Sequence, residues 1–222
     1  MKIELEPNLP QHWYWVDNEI LVPSVTTIIE KYPKSYELIR WIAEKGLTEA
    51  DRIKTEAGSA GSKIHKAIDL LIQGEEILIE DFTRTEWLKL IGFVNWNAKF
   101  KPEYIQNERG IYSKEYKYAG TTDCIAKIND CVYLIDWKSS RNMQPYFALQ
   151  VAAYAQALSE EKIKVEKTAV LQLGVNKDGY RFKEYDDWKA DFKVFLGVKQ
   201  IFDYEEGTDP PKIPEVPLIL KL

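Results

Sequence analysis

The stretch from Cys124 to Ile135 constrains this chain more than any other. It reads as two apolar strands joined at Asn129-Asp130, a two-residue hairpin turn. Residues 132–135, Val-Tyr-Leu-Ile, are apolar on both faces, which suits a central strand covered on both sides. In the register of that turn Ile128 faces Cys131, and counting outward sets Asp123 opposite Asp136. Directly opposed side chains lie roughly 5 Å apart at Cβ, so the two carboxylates meet at one spot. Lys138, two residues beyond Asp136, points to the same face. Neighbouring carboxylates repel unless a cation sits between them, and oxygen donors of this kind suit magnesium or manganese. The alternative is a surface hairpin whose Asp and Lys side chains pair across the strands. Charges at the end of a buried strand, however, require a partner or a purpose.

Composition excludes several classes. The chain has 222 residues, 45% hydrophobic and 29% charged, as a soluble globular protein does. No apolar run is long enough to span a bilayer, and the N-terminus resembles neither a signal nor a transit peptide. A cytoplasmic protein with no membrane partner is the expectation. The net charge of −5 argues against a passive nucleic-acid coat, though not against an enzyme with a local basic groove. The two cysteines, Cys124 and Cys131, sit out of register on opposed strands, so a disulfide is not expected. Two thiolates cannot hold a four-cysteine iron–sulfur cluster either.

No repeat, low-complexity tract or Gly/Ser linker divides the chain, so one domain is expected over residues 1–222. Residues 1–102 read as an N-terminal hairpin and helical region. The hairpin spans 13–22 and turns at Asp17-Asn18; Ser24 caps a helix over 25–32, and Gly46 ends another over 35–45. Residues 48–73 look helical with a break near Gly58 to Gly61, and 85–100 helical before Pro102. Residues 103–204 read as an α/β core with strands at 104–108, 111–118, 121–128, 131–138, 165–174 and 180–185. Helices are expected from Pro145 to about Ser159 and from Asp186 to Tyr204. The Pro-rich segment 205–222 reads as an extended tail. The fold class is therefore α/β, a central mixed β-sheet flanked by helices with a helical N-terminal region.

Other residues could extend the site. His65 shares a helical face with Gly61, Ile64, Ile68 and Ile72, so it is either a satisfied core histidine or a ligand. Gln150 and Tyr154 lie one turn apart on a face that also carries Phe147, Val151 and Leu158. A glutamine in such a stripe needs partners, in the backbone, at Lys138 or on a phosphate. Glu108 ends a strand and could approach a metal or stay solvated. Trp13, Tyr14, Trp15, Trp41, Trp87 and Trp96 could stack bases or fill the core, and Lys54, Lys63, Lys66, Lys99 and Lys101 could flank a phosphate path or mark a solvated face.

Taken together, Gly61-Ser-Lys-Ile-His65, Gly120-Thr-Thr-Asp123, Ile135-Asp-Trp-Lys138-Ser-Ser and Gln150-Val-Ala-Ala-Tyr154 resemble the PD-(D/E)XK nuclease superfamily. The likeness is to its RecB-like exonuclease branch, which includes mitochondrial genome maintenance and phage exonucleases. Pro23-Ser-Val-Thr-Thr27 is similar to that branch as well, and the resemblance spans about Pro23 to Leu158. It implies a restriction-endonuclease-like core with His65, Asp123, Asp136, the Trp137 backbone carbonyl and, as a further candidate, Glu108 on Mg2+ or Mn2+. It implies Lys138 as the residue that orients or deprotonates the attacking water, with Gln150 and Tyr154 supporting it. Lys63, Lys66, Ser139 and Ser140 are candidate substrate contacts. The expected activity is a metal-dependent deoxyribonuclease, an exonuclease more than an endonuclease, acting on single-stranded DNA or DNA ends in recombination, repair or phage DNA processing. Without helicase motifs, unwinding would fall to a helicase or recombination partner. A catalytically silent nucleic-acid-binding or assembly subunit of the same fold is the alternative.

Overall fold

The structure, a computed structural model, describes residues 1–207 and 209–213. Three short strands open the chain: β1 (Ile3–Leu5), β2 (Trp13–Val16) and β3 (Ile20–Pro23), antiparallel in that order. The β2–β3 turn places Asp17 and Asn18 at φ 51° and 59°, the left-handed pair a tight hairpin requires. Helices α1 (Val25–Ile29), α2 (Tyr36–Lys45), α3 (Leu47–Ile72) and α4 (Arg84–Phe100) follow. Ser24 caps α1, its Oγ accepting from the Thr27 N–H at 2.9 Å, and Ser35 caps α2 in the same way. Thr83 and Glu86 close a reciprocal capping box at the start of α4.

The break expected at Gly58 to Gly61 is absent: α3 runs without interruption from Leu47 to Ile72. Each helical glycine costs about 1 kcal/mol relative to alanine. The Ser59 and Ser62 hydroxyls bond back to the carbonyls of Thr55 and Gly58, at 3.1 and 3.2 Å. Packing of Ile64, Ala67 and Ile68 against the sheet then anchors the C-terminal half. At Gly61 a Cβ would stand 3.2 Å from Ser139 Oγ, so this glycine lets the loop after β6 approach the helix.

The central sheet contains β4 (Glu103–Ser113), β5 (Tyr118–Ile128), β6 (Cys131–Lys138), β7 (Lys167–Leu173) and β8 (Tyr180–Tyr185), hydrogen-bonded in that order. β6 and β7 run parallel through the crossover helix α5 (Tyr146–Glu160), and every other pair is antiparallel. The strands expected over 104–108 and 111–118 are not separate: 104–113 lies in one strand, β4, residues 114–117 turn, and Tyr118 already belongs to β5. β4 absorbs an irregularity between Tyr104 and Gln106 and pairs onward through Arg109 and Gly110. Helix α6 (Trp188–Glu206), capped by Asp187, starts and ends two residues later than expected and takes residues 205–206 from the tail. Of that tail, Ile213 packs against the core, while Thr208 and residues 214–222 lie outside the described residues.

β6 is central and covered on both sides, as its apolar residues require. Leu134 joins the core under α1, α5 and α6, whereas Tyr133, Ile135 and Trp137 join the core under α3 and α4. The second core stacks Phe93, Trp96 and Trp137 with ring centroids 5.6 to 5.9 Å apart. Such side chains contribute about 1.5–3 kcal/mol each on burial, which anchors β6 between its layers. Cys124 and Cys131 are free, as expected from their register. Among the described residues no helix is long and apolar enough to cross a membrane.

Candidate active site

The hairpin register brings the site together. β5 pairs with β6 from Ile128↔Cys131 to Cys124↔Ile135, so Asp123 and Asp136 are the next positions along the two strands. Alternation then sends Asp136 and Lys138 to the α5 side of the sheet. Asp136 is 3% exposed. Its Oδ2 lies 2.8 Å from Lys138 Nζ, and its Oδ1 accepts from Gln150 Nε2 at 3.1 Å. Gln150 Oε1 in turn accepts from Lys138 Nζ at 3.0 Å, and Gln150 Nε2 donates to the Tyr154 hydroxyl at 3.1 Å. Lys138 Nζ also stands 5.0 Å above the Phe147 ring. Gln150 therefore finds its partners in the catalytic candidates, the second of the possibilities open from the sequence. Tyr154 reaches this position because Gly120 lies beneath it: a Cβ there would meet the tyrosine ring at 2.7 Å.

Asp123 lies opposite Asp136 on the neighbouring strand, and its carboxylate borders a cleft. Its Oδ2 accepts the Trp137 N–H at 2.7 Å and its Oδ1 lies 3.3 Å from Nδ1 of His65 on α3. Glu108 joins them from β4, where its φ of 47° departs from strand geometry. A non-glycine residue held there stores of order 1–3 kcal/mol, a cost that concentrates at functional sites. One ligand atom from each of His65, Glu108 and Asp123 falls within 4.8 Å of the others. Atoms about 2.1 Å from one magnesium ion lie at most about 4.2 Å apart, so closure by a few tenths of an ångström suffices. Two carboxylates and an imidazole fit a small divalent cation. The cleft, about 600 Å³, is lined further by Gly61, Lys66, Asp69 and Ser139.

The charges are strongly coupled. Burial pushes the Asp136 carboxyl up to about 6; Lys138 opposes the rise and the Asp123 charge adds to it. Burial also acts to raise Asp123, but His65, Lys138 and the Trp137 N–H together hold it below the usual carboxylate range. For His65 burial favours the neutral ring, but the charge and hydrogen bond of Asp123, with the charge of Asp136, together outweigh it, so its pKa is raised. Glu108 is raised by burial first, then by Asp123, with a smaller push from Asp69. An ionised Asp123 that raises the proton affinity of Asp136 and Glu108, beside an imidazole, makes a site poised for positive charge.

Some expected residues sit elsewhere. Asp136 is not among the clustered donors; with its neighbour Lys138 on the same face and Gln150 above, its carboxylate is engaged within the strand. At Trp137 it is the N–H that meets Asp123. Lys63 turns from the cleft to the Asp81 carbonyl, to Glu86 at 3.4 Å and to the Phe82 ring at 4.8 Å. Lys66 and Ser139 line the cleft, whereas the Ser140 hydroxyl donates to the Asn142 carbonyl. Of the aromatics, Trp13 and Trp96 are core. Asp69 is the residue sequence reading missed. Its signal was available, four residues after His65 and so one turn along the same helical face.

No family model matches the chain. It is 24% identical over 159 residues to mitochondrial genome maintenance exonuclease 1 of Xenopus tropicalis, covering 63% of this chain and 44% of that protein. The Homo sapiens protein of that name is 24% identical over 158 residues, with 64% and 45% covered. The chain thus spans less than half the length of these curated relatives. Among solved structures, the alkaline exonuclease LHK-Exo of Laribacter hongkongensis aligns at 10% identity and a TM-score of 0.40, covering 82% of this chain and 90% of that one. That superposition is too distant to inform the site. The low-identity sequence similarity to exonucleases supports a nuclease.

Proposed function

We propose that the chain is a metal-dependent deoxyribonuclease of the PD-(D/E)XK type, acting as an exonuclease on single-stranded DNA or DNA ends. One observation carries the reading: a lysine fixed by Asp136 and Gln150 stands beside Asp123, which borders a cleft with His65 and Glu108. His65, Glu108 and Asp123 would hold Mg2+ or Mn2+, and Asp136 could join them by releasing Lys138. The chemistry such an ion supplies when bound is acidification of a water ligand and neutralisation of charge on the phosphate. Lys138 places an ammonium where that phosphate charge develops and can share a proton with the attacking water. Gln150 restricts the lysine to one position, and Tyr154 fixes the amide of Gln150. Lys66 offers a further cation in the cleft. Recombination, repair or phage DNA processing, with an unwinding partner for duplex substrates, is the setting this activity fits.

The test is degradation of end-labelled single- and double-stranded DNA with magnesium, manganese or EDTA. Mononucleotide or short products, loss of activity in EDTA and resistance of a circular substrate are expected. Cutting of the circle would make the enzyme an endonuclease, and no cutting with intact DNA binding would leave an assembly subunit.

A further inference from the structure

A second cleft, about 800 Å³, opens beyond Lys138 and takes no part in the chemistry described above. Tyr32 and Trp41, contributed by the α1–α2 segment, face Tyr146 at the start of α5 across it. The Tyr32 and Tyr146 rings are 5.9 Å apart, Tyr146 lies 5.1 Å from Phe147, and Phe147 lies under Lys138 Nζ at 5.0 Å. The cleft is therefore connected to the lysine through two rings. Burial raises the Tyr146 hydroxyl and the Lys138 charge opposes it, a second sign that the two are close. Asn142 and Gln144 add amide groups to the same wall, and Lys34 and Glu37 add one charge of each sign. Among the described residues Lys34 bonds to the Glu30 carbonyl and pairs with no carboxylate.

This wall is held in place. Gln172 of β7 is fully buried and donates to the carbonyls of Ser140 and Arg141, at 2.9 and 2.8 Å. It ties the loop that follows Lys138 to the central sheet, so the cleft keeps a set distance from the lysine.

We propose that this cleft is a nucleobase-stacking subsite, in which Tyr32, Trp41 and Tyr146 take an unpaired base and Asn142 and Gln144 meet its edge. The choice of a nucleobase as occupant rests on the nuclease reading; the cleft itself does not. Its volume falls within the roughly 300–1,000 Å³ of small-ligand sites. Aromatic stacking accepts any base because each has a π-face, and a base still paired in a duplex cannot leave its neighbours to enter. A strand bound this way would present its phosphate toward Lys138 only where it is unpaired.

The experiment compares labelled oligothymidylate with an abasic strand of equal length and charge. Fluorescence anisotropy is read in calcium, with cleavage checked on gels. Wild type is expected to prefer the base-bearing strand by about tenfold. Tyr32→Ala and Trp41→Ala should shrink that preference to about twofold or less, while Tyr32→Phe retains it; circular dichroism checks that each variant is folded. Equal affinity of wild type for both strands overturns the subsite and needs no variant. Folded alanine variants that keep the full preference overturn it too. Digestion without base preference removes the subsite and leaves the nuclease reading; base preference without digestion does the reverse.

Discussion

Around Asp136, the protein largely answers its own charges: Lys138, Gln150 and Tyr154 bond to one another, while Asp136 Oδ2 has the Lys138 ion pair and, among the described residues, no hydrogen bond. Around Asp123, by contrast, His65 and the exposed Glu108 turn their donor atoms toward an open cleft. The two carboxylates are adjacent in the fold and opposite in circumstance. A network closed on itself fixes geometry, and each member left unpaired is costly in the low-dielectric interior. A half-open cluster of like charges is held at a cost that a ligand can remove. Under the proposed function, one half of the site would position and the other would capture the ligand.

That division can be broken by experiment, and the largest effect should come from the lysine. Lys138→Ala is expected to lower kcat on end-labelled DNA by about 100-fold or more. Calorimetric affinity for manganese should change little, and equal losses of both would erase the distinction between the halves. Asp123→Asn should act in the opposite sense, weakening manganese binding by about tenfold or more, since it removes a charge from the cluster and a partner from His65. Asp136→Asn sharpens the comparison: it should cost less manganese affinity than Asp123→Asn. Were it to cost more, Asp136 would be the principal ligand and would have to abandon Lys138.

Smaller effects belong to stability. Gln150→Leu removes the amide that donates to Asp136 Oδ1 and one of the two acceptors of Lys138, and should destabilise by about 1–3 kcal/mol in chemical denaturation. Glu86→Gln, outside the site, should cost about 1 kcal/mol by weakening the cap of α4. The Thr83 N–H holds the Glu86 carboxyl below its ordinary value of 4.5, ahead of the opposing effect of burial. The contribution of Glu86 is therefore complete above that pH and is lost as pH falls through the depressed folded value. The difference between wild type and variant should shrink on acidification, with manganese affinity near neutrality unaffected.

What could be read in advance was what local chemistry dictates. Asn129-Asp130 set the hairpin, Ser24 and Gly46 marked helix ends, and the apolar run 132–135 announced a covered strand. Each of those signals acts within a few residues. The misjudged places depend on partners distant in sequence. Gly61 stays helical with Ser139 against it, and β4 continues past Glu108 because β5 pairs with it. Lys63 was drawn off by Glu86, twenty-three positions along. Asp69 and Glu108 gain meaning only when α3 and β4 meet at one cleft, which no window of sequence displays.

The turn at Asn129 and Asp130, both exposed and held at φ 48° and 64°, has a reach that its position on the surface conceals. Five paired positions separate it from the acids. One residue added or removed at that corner would rotate β6 by half a period. Asp136 would then be driven among Phe93 and Trp96, and Trp137 would be turned toward Gln150. The meeting of Asp123 and Asp136 at one end of the hairpin is thus calibrated by a solvent-washed corner at the other, which touches neither of them.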